Sequence, residues 1–251
     1  MSHRGSTAAP TVIALLLGVM LAAGPAAGQV SIPTLGVPLT ENFDTLANTG
    51  TSSSTPTGWT FAETGTNAEG TYGTSTGSSN TGNTYSFGAL SSTERAFGGL
   101  LSSSLIPTVG ASFQNDAGAV LTSLTISYTG EQWRLGALAR VDKLDFQYSL
   151  DATSLTTGTW IDVDALDFIA PVTGPTVGAL DGNDAANRTG LTNSIGALNI
   201  ANGATFWIRW TDFNASSSDD GLGVDDFSLT AQGYPIAVEE IQWGGIKALY
   251  R

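Results

Sequence analysis

The sequence predicts an all-β fold, an antiparallel β-sandwich of jelly-roll type with long loops rich in Gly, Ser and Thr. Composition supports this prediction, because the 251-residue chain contains 31 Gly and only 12% of its residues are charged. Strong helix formers such as Lys and Glu are therefore scarce. Patterning supports it more directly, because apolar and polar residues alternate in several segments. A period of two is expected where one face of a strand is buried and the other lies in water.

Four segments carry this alternation, and each is predicted to be a strand of the sandwich. The residues predicted to be buried are Leu124, Ile126 and Tyr128; Leu144, Phe146, Tyr148 and Leu150; Phe206, Ile208 and Trp210; and Phe227 and Leu229. Turn sequences lie between these segments, at Asp181-Gly182, Asn202-Gly203 and Asp220-Gly221. Apolar residues do not recur at helical spacing over a long stretch of the body, so βαβ units are not expected.

Two other segments are predicted to be long surface loops. Residues 49–83 are rich in small polar residues around one strand-like core, Trp59-Thr60-Phe61, and residues 171–193 form the second segment. Aromatic residues in and after the first segment can anchor it to the sandwich. We therefore interpret it as loops of the domain and not as a linker.

The N-terminal residues have the order of a secretory signal peptide, which we predict over residues 1–28. Arg4 precedes a continuous apolar run at 11–23, and small residues follow up to Gly28. The apolar run is well short of the about 20 residues that a membrane-spanning helix needs. The sequence therefore predicts export through the general secretory route, cleavage after Gly28, no membrane span, and a secreted, extracellular or cell-surface location.

The composition excludes several kinds of chemistry. The chain has no Cys, and its single His, His3, falls within the predicted signal peptide. Nucleophile pairs of the Ser-His or Cys-His type, thiolates and zinc sites with N and S ligands are thereby excluded from the mature protein. The formal net charge of −13 disfavours binding to nucleic acid and to anionic lipid. Without disulfides, residues 29–233 are expected to form a single domain held by its hydrophobic core.

A set of short motifs resembles a known kind of secreted module. The motifs are Glu131-Gln132-Trp133-Arg134, LDFQYS at 144–149, Leu180-Asp181-Gly182-Asn183, Asn187-Arg188-Thr189, FWIRWTD at 206–212 and GLGVDDFSL at 221–229. Together they resemble a non-catalytic β-sandwich module of secreted bacterial proteins. That module is found alone with a C-terminal sorting tail, or beside extracellular nuclease, phosphoesterase and lamin-tail domains. The resemblance implies a β-sandwich and an extracellular location, and it implies no enzymatic activity.

The C-terminal tail, residues 234–251, departs from the strand pattern. Its last nine residues, WGGIKALYR at 243–251, resemble the ending W-G-x-x-K-x-x-[FY]-R of exported proteins from some Gram-negative-type lineages. That resemblance implies a sorting signal. The alternative is a short amphipathic helix that caps the sandwich by burying Trp243, Ile246 and Leu249. The sequence leaves both interpretations open.

An acidic loop is the candidate metal site. Calcium is bound by several oxygen atoms, and Asp-rich loops at the end of a sandwich can supply them. The predicted ligands are Asp181, Asn183 and Asp184, and none of the acidic runs in the chain matches the EF-hand loop. The competing interpretation assigns the acidic residues to turns and strand ends, with Asp225 or Asp226 capping backbone amides or pairing with Arg209.

Aromatic and charged residues at strand ends are the candidate ligand-binding residues. Trp207 is out of phase with its buried neighbours, so it is predicted on the outer face of its strand, where its ring could stack on a sugar. Trp133, Glu131 and Arg134 form a second candidate group. Glycoside hydrolysis would need a carboxylate pair that includes Glu131, and no partner carboxylate stands out in the sequence.

These observations lead to one function and two alternatives. The sequence predicts a secreted or cell-surface β-sandwich without catalytic activity, which serves adhesion, matrix or glycan binding with support from calcium (Ca2+). The alternatives are an extracellular polysaccharide-active enzyme that uses carboxylates, and a purely structural surface component. An extracellular glycan or a cell-surface component is the expected partner, and the sequence leaves the oligomeric state open.

Overall fold

The chain folds into two β-sheets packed face to face in a jelly-roll-like sandwich. The computed structural model describes residues 28–235. The predicted signal peptide, residues 1–28, lies outside the described residues apart from Gly28. The predicted tail, residues 234–251, also lies outside them apart from Tyr234 and Pro235, which belong to β16, so the sorting signal and the capping helix stay predictions. Within residues 28–235, no helix has the length and apolar character needed to cross a membrane.

The described residues form sixteen strands and one short 3-10 helix, Asp164–Leu166. The strands are β1 (Val30–Ile32), β2 (Leu39–Glu41), β3 (Thr51–Ser52), β4 (Trp59–Thr64), β5 (Tyr72–Ser75), β6 (Asn83–Phe87), β7 (Ala96–Leu100), β8 (Ile106–Asn115), β9 (Ala119–Leu135), β10 (Lys143–Ser149), β11 (Ile161–Asp162), β12 (Phe168–Ile169), β13 (Gly178–Ala179), β14 (Arg188–Ile195), β15 (Thr205–Asp212) and β16 (Gly221–Pro235).

The first sheet, sheet A, has β8, β15 and β10 at its centre, joined in that order by antiparallel pairs. Both β1 and β4 pair with the free side of β8, and both β11 and β12 pair with the free side of β10. The β1–β8 pair is parallel, so the sheet is mixed at that edge.

The second sheet, sheet B, is built on β9 and β16, which are 17 and 15 residues long. One side of β9 pairs with β13 and β14, and the far side of β16 pairs with β2 and β7. Beyond β7 follow β6, β5 and β3, with a parallel pair between β5 and β6. The antiparallel β-sandwich predicted from the sequence is confirmed, with two short parallel pairs added to it.

Both predicted loop segments contain more strand than the sequence indicated, and residues 49–83 include β3, β4 and β5. Residues 171–193 include β13 and most of β14, whose eight residues all pair with β9. The side chains of β14 are mostly exposed, so this strand lacks the apolar alternation by which strands were predicted. Backbone pairing to a long partner, and not burial, forms this strand.

Aromatic side chains fill the centre of the space between the sheets. The ring of Trp210 on sheet A lies 6.0 Å from that of Trp59 and 5.1 Å from that of Tyr128 on sheet B. Phe146 and Phe227 meet the same indole edge-on, the arrangement that aromatic quadrupoles favour. Trp210 is therefore held by side chains from both sheets at once.

The predicted alternation accounts for this core with one exception. The residues predicted to be buried in the four alternating segments belong to the core, apart from Leu150. Leu150 is 43% exposed because β10 ends one residue earlier, at Ser149. The apolar alternation in the sequence therefore continues one residue beyond the end of the strand.

A β-bulge in β16 determines which side chains reach the core. The register against β9 shifts between Asp225 and Ser228, so β16 contains one extra residue there. Asp226 adopts a φ of 49°, which is unusual for a residue other than glycine. Because the extra residue changes the alternation, Val224 and Phe227 both lie in the core. The side chain of Asp225 consequently lies on the outer side of sheet B.

Replacing Trp210 by alanine is expected to lower the free energy of unfolding by about 3–5 kcal/mol, because it leaves a cavity among the central rings. Trp207→Ala, on the same strand but the opposite face, is expected to cost clearly less. Chemical denaturation followed by circular dichroism measures both losses. Equal losses in the two variants would contradict this assignment of faces.

Candidate functional site

The outer face of sheet A carries a partly exposed group of aromatic and polar side chains. Trp207 and Arg209 lie on this face, since they alternate with the buried side chains of β15. The guanidinium of Arg209 lies 3.9 Å from the ring centroid of Trp160, in a cation–π contact. Its Nε donates a 2.8 Å hydrogen bond to Oε1 of Gln147 on the neighbouring strand β10. We call Trp160, Trp207, Arg209 and Gln147 the Trp207 face.

The loop between β10 and β11 shapes the Trp207 face. Asp151 closes this loop by accepting hydrogen bonds from the backbone NH of Thr159, at 2.7 Å, and from its hydroxyl. Arg209 donates to the carbonyl of Leu155 at 2.5 Å. The buried Leu155 side chain covers Gly110 of β8, where an added Cβ would lie 2.7 Å from the leucine. The loop therefore lies against the sheet and holds its tryptophan over the guanidinium.

The positive charge of Arg209 is not neutralised by an acidic side chain in the described part of the chain, where the ion pairs involve Arg140 and Lys143. The predicted pairing of Arg209 with Asp225 or Asp226 is wrong, because those residues lie on the other sheet. Burial lowers the pKa of the Arg209 guanidinium from its ordinary value. An arginine nevertheless stays charged at neutral pH, so the Trp207 face presents a cation between aromatic rings.

The other predicted ligand-binding residues lie on sheet B, away from the Trp207 face. Trp133 is 1% exposed, and its ring stacks on that of Phe87 at 6.0 Å in a small second core on the outer side of sheet B. Glu131 is 0% exposed. Arg134 is half-buried and donates a 3.1 Å hydrogen bond to the carbonyl of Gly77. This arrangement leaves neither the Trp133 ring nor the Glu131 carboxylate open to a sugar.

Glu131 belongs to a buried group of three carboxylates. Glu94, from the loop before β7, and Asp225, on β16, each place a carboxylate oxygen within 4.8 Å of the others. Nε1 of Trp133 donates a 2.9 Å hydrogen bond to Oε2 of Glu131. Burial raises the pKa of Glu131 to about 8, and it also raises the pKa of Asp225. We call Glu94, Glu131 and Asp225 the Glu131 cluster.

The three predicted calcium ligands form a turn beside this cluster. Oδ1 of Asp181 accepts the backbone NH of Asn183 at 3.1 Å, and Oδ1 of Asp184 accepts that of Ala186 at 3.1 Å. These are the contacts that the turn interpretation expected. The Asn183 side chain differs, because its Nδ2 donates to the carboxylate of Glu94. One of the three predicted ligands thus contacts the Glu131 cluster, whereas the two aspartates cap the turn.

A second buried group of carboxylates, around Arg140, was not recognised in the sequence. The Arg140 guanidinium lies 2.9 Å from Asp142 and 3.1 Å from Asp220. Oδ1 of Asp220 also accepts the backbone NH of Gly136 at 2.7 Å, so this group ties the start of β16 to the chain that follows β9. Burial raises the pKa values of Asp219 and Asp220 to about 6. Asp220-Gly221, predicted as a turn, is instead the entry to β16.

Two adjoining depressions, of about 470 and 570 Å³, lie on either side of Glu41 in β2. Their apolar lining includes the rings of Trp59, Phe113 and Phe227, which are at most 2% exposed. The depressions therefore lack an accessible aromatic face. Burial raises the pKa of the Glu41 carboxyl above its ordinary value.

Comparison with known proteins gives structural likeness only. No family model matches the chain, and no curated protein matches it at a significant level. The CBM22-1 xylan-binding domain of Paenibacillus barcinonensis Xyn10C is similar at 11% identity, over 82% of this chain and 100% of that chain, with a TM-score of 0.35. TmCBM61, solved with β-1,4-galactotriose, is similar at 14% identity over 55% and 72%, with a TM-score of 0.32. The enzymatically active domain of bacteriophage CBA120 tailspike protein 4 is similar at 13% identity over 70% and 19%, with a TM-score of 0.35. Likeness at this level assigns no function to the chain.

The raised pKa of Asp219 is expected to make stability depend on pH. Its ordinary value is 3.8 and burial raises it to about 6, so the folded state favours the neutral carboxyl. The resulting stabilisation is present below the ordinary value and is lost as the pH rises through about 6, by about 1.4 kcal/mol per unit of pKa difference. Asp219→Asn keeps an oxygen that can accept the Ala215 backbone NH and removes this loss.

We therefore expect the unfolding temperature of Asp219→Asn, relative to that of the unmodified protein, to rise between pH 4.5 and pH 7.5. Thermal unfolding in a buffer series with chelator measures this difference. Asp184→Asn, on the exposed turn, is the matched control and is expected to leave the pH dependence unchanged. The same offset for Asp219→Asn at both pH values would contradict the assignment.

Proposed function

We propose that this chain is a secreted or cell-surface β-sandwich that binds carbohydrate without catalysis, and that the Trp207 face is its binding surface. The observation that carries the proposal is the arrangement of Arg209 over Trp160 beside the outward-facing Trp207. The side chains are held by a sheet and by a closed loop, so little conformational freedom is lost on binding. Export, predicted from residues 1–28, would bring this surface to extracellular polysaccharide.

The chemistry of the Trp207 face suits a neutral sugar. Indole rings bury the apolar C–H face of a sugar ring, while guanidinium and amide groups hydrogen-bond its hydroxyls. Gln147 and Arg209 provide those polar groups next to the aromatic rings. The formal net charge of −13 would repel acidic polysaccharides at long range. Neutral polysaccharides are therefore the expected ligands.

A catalytic role for Glu131 finds no support in its surroundings. Hydrolysis of a glycoside needs an acid and a second carboxylate on either side of a bond that the substrate brings between them. The Glu131 carboxylate is 0% exposed, and its oxygens face Trp133 and the other two acids of the Glu131 cluster. The depth of this group argues for a role inside the protein.

Trp207→Ala and Trp160→Ala are each expected to weaken binding to an insoluble or gel-embedded neutral polysaccharide by at least about tenfold, or about 1.4 kcal/mol, because each removes a stacking ring. Affinity electrophoresis against a panel of neutral glucans, xylans, mannans and galactans measures the change. No release of reducing ends is expected on any of them.

The matched control is Phe213→Ala. Phe213 is another exposed aromatic residue, 46% exposed, with the ammonium of Lys143 at 5.8 Å from its ring. This variant is expected to bind as the unmodified protein does. Equal weakening by Phe213→Ala, or unchanged binding by both tryptophan variants, would overturn the assignment of the Trp207 face.

A further inference from the structure

The Glu131 cluster is a concentration of like charge that the proposed carbohydrate binding does not use. Its three carboxylates come from three different segments, the loop before β7, β9 and β16. Two of them are buried, with Glu131 at 0% and Asp225 at 6% exposure, and Glu94 is half-buried on the solvent side. Like charges at this range repel strongly when water is removed.

No side-chain cation forms an ion pair with the cluster in the described part of the chain, where the ion pairs involve Arg140 and Lys143. Arg188 lies opposite Glu131 on the neighbouring strand β14, and its charge acts to lower the pKa of Glu131, but burial outweighs it. Arg95 is the neighbour of Glu94 in sequence, but its buried guanidinium donates to the hydroxyl and carbonyl of Ser86 and to the carbonyl of Ala89. The charge of the cluster must therefore be neutralised by bound protons, as the raised pKa values of Glu131 and Asp225 indicate, or by another partner.

An unpartnered oxygen points to that partner. Oε2 of Glu131 accepts the Trp133 hydrogen bond, whereas Oε1 of the same fully buried carboxylate has no hydrogen-bond donor among the described residues. Oε1 of Glu94 is likewise buried and unpartnered. A buried acceptor without a donor costs free energy, and such groups in folded proteins are normally satisfied by water or an ion.

The geometry suits a cation that prefers oxygen ligands. Calcium–oxygen distances are about 2.4 Å, so two ligands of one calcium ion lie at most about 4.8 Å apart. The three carboxylates place one oxygen each within 4.8 Å of one another. Magnesium needs a regular octahedral shell and keeps several of its waters, whereas calcium is commonly held by several protein carboxylates, so this donor set favours calcium.

We propose that Glu94, Glu131 and Asp225 bind a calcium ion on the outer side of sheet B. The site is independent of the Trp207 face, and it differs from the aspartate turn that the sequence indicated. Its ligands are all carboxylate oxygens, and the amide of Asn183, now bonded to Glu94, lies at its rim. The ion would join the loop before β7 to the two longest strands of the sandwich.

The backbone around the cluster is built to admit these side chains. Asp225 follows the core residue Val224, so strand alternation places it on the outer side of sheet B, on the same side as Glu131. Gly223 pairs directly with Glu131, and an added Cβ at Gly223 would press on Ala96 and Phe87 of the neighbouring strands. Gly182, at the rim of the cluster, lies so close to the indole of Trp133 that an added Cβ would clash with it, so the close approach requires glycine there.

Thermal unfolding of the mature protein with calcium chloride, against the same protein with chelator, tests the proposal. Calcium at a hundredfold excess over its dissociation constant is expected to raise the unfolding temperature by about 5–10 °C, because an ion that binds the folded state alone stabilises it. Magnesium at the same concentration is expected to raise it less. No shift with calcium up to millimolar concentrations would overturn the proposal.

Isosteric variants locate the ion. Glu131→Gln and Asp225→Asn are expected to fold, and to unfold in chelator at the same or a higher temperature, because each removes one buried like charge. Both are expected to lose the calcium shift. Asp184→Asn, in the neighbouring turn, is the matched control and is expected to retain it. A shift that persists in Glu131→Gln, or that disappears in Asp184→Asn alone, would place the ion elsewhere and reject the cluster as its site.

Terbium luminescence tests the site directly, because a general stabilising effect of the ion would not produce sensitised emission. Terbium replaces calcium at oxygen sites and emits when a nearby indole is excited, and Trp133 contacts Glu131 directly. We expect sensitised emission from the unmodified protein and its loss on titration with calcium. Trp133→Phe is expected to bind terbium with much weaker emission, whereas strong emission from Glu131→Gln would contradict the site.

Discussion

The pairing of β9 with β16 is the constraint on which the rest of the sandwich depends. It extends from Arg134 beside Gly221 to Ala119 beside Pro235. Every other strand of sheet B pairs with one of these two strands, either directly or through the strands that lie between them. A pair of this length would lose its buried face if its register were uniform, because β16 would turn Phe227 outward. Three register shifts adjust this pair, and the extra residue of β16 at Asp226 keeps Val224 and Phe227 both in the core. Asp225, next to Val224 in the strand, lies on the outer side with Glu131.

The two candidate sites are kept apart by the architecture. The Trp207 face lies on the outer side of sheet A and the Glu131 cluster on the outer side of sheet B, with the aromatic core between them. Two packed sheets are about 10 Å apart, so no side chain can take part in both sites. A change in carbohydrate binding need not alter the acidic cluster, and the reverse also holds. The sandwich therefore separates the proposed binding surface from the acidic cluster.

The fold and the outward direction of Trp207 could be predicted from the sequence because both depend on local alternation. A strand with one buried face leaves a period of two that neighbouring residues reveal, and Trp207 is one step out of that period. Trp133 could not be assigned in this way. Its strand is covered on both sides at that point, by the core on one side and by loops such as the one containing Gly182 on the other. Where both faces of a strand are buried, the sequence shows no alternation, so the pattern does not indicate whether an aromatic residue there is buried.

The Glu131 cluster was out of reach for a different reason. Its acids are far apart in the chain, and only the fold brings Glu94 and Asp225 to Glu131. The acidic turn at Asp181 and Asp184 was more visible because its residues are close in sequence, although they serve as caps for backbone NH groups. Proximity in sequence makes the turn conspicuous and leaves the cluster hidden. Asn183 connects the two, because its side-chain amide donates a hydrogen bond to Glu94.

Both ends of the described chain leave from the same end of the sandwich. Val30 of β1 lies beside Phe113 near the end of β8, and Pro235 lies beside Ala119 at the start of β9, just across the short connection from β8 to β9. A domain whose entry and exit are adjacent can be inserted into a longer polypeptide as a side branch, without adding to the contour length of that polypeptide. The opposite end of the sandwich, with the loops around Glu94, would then face away from the point of attachment.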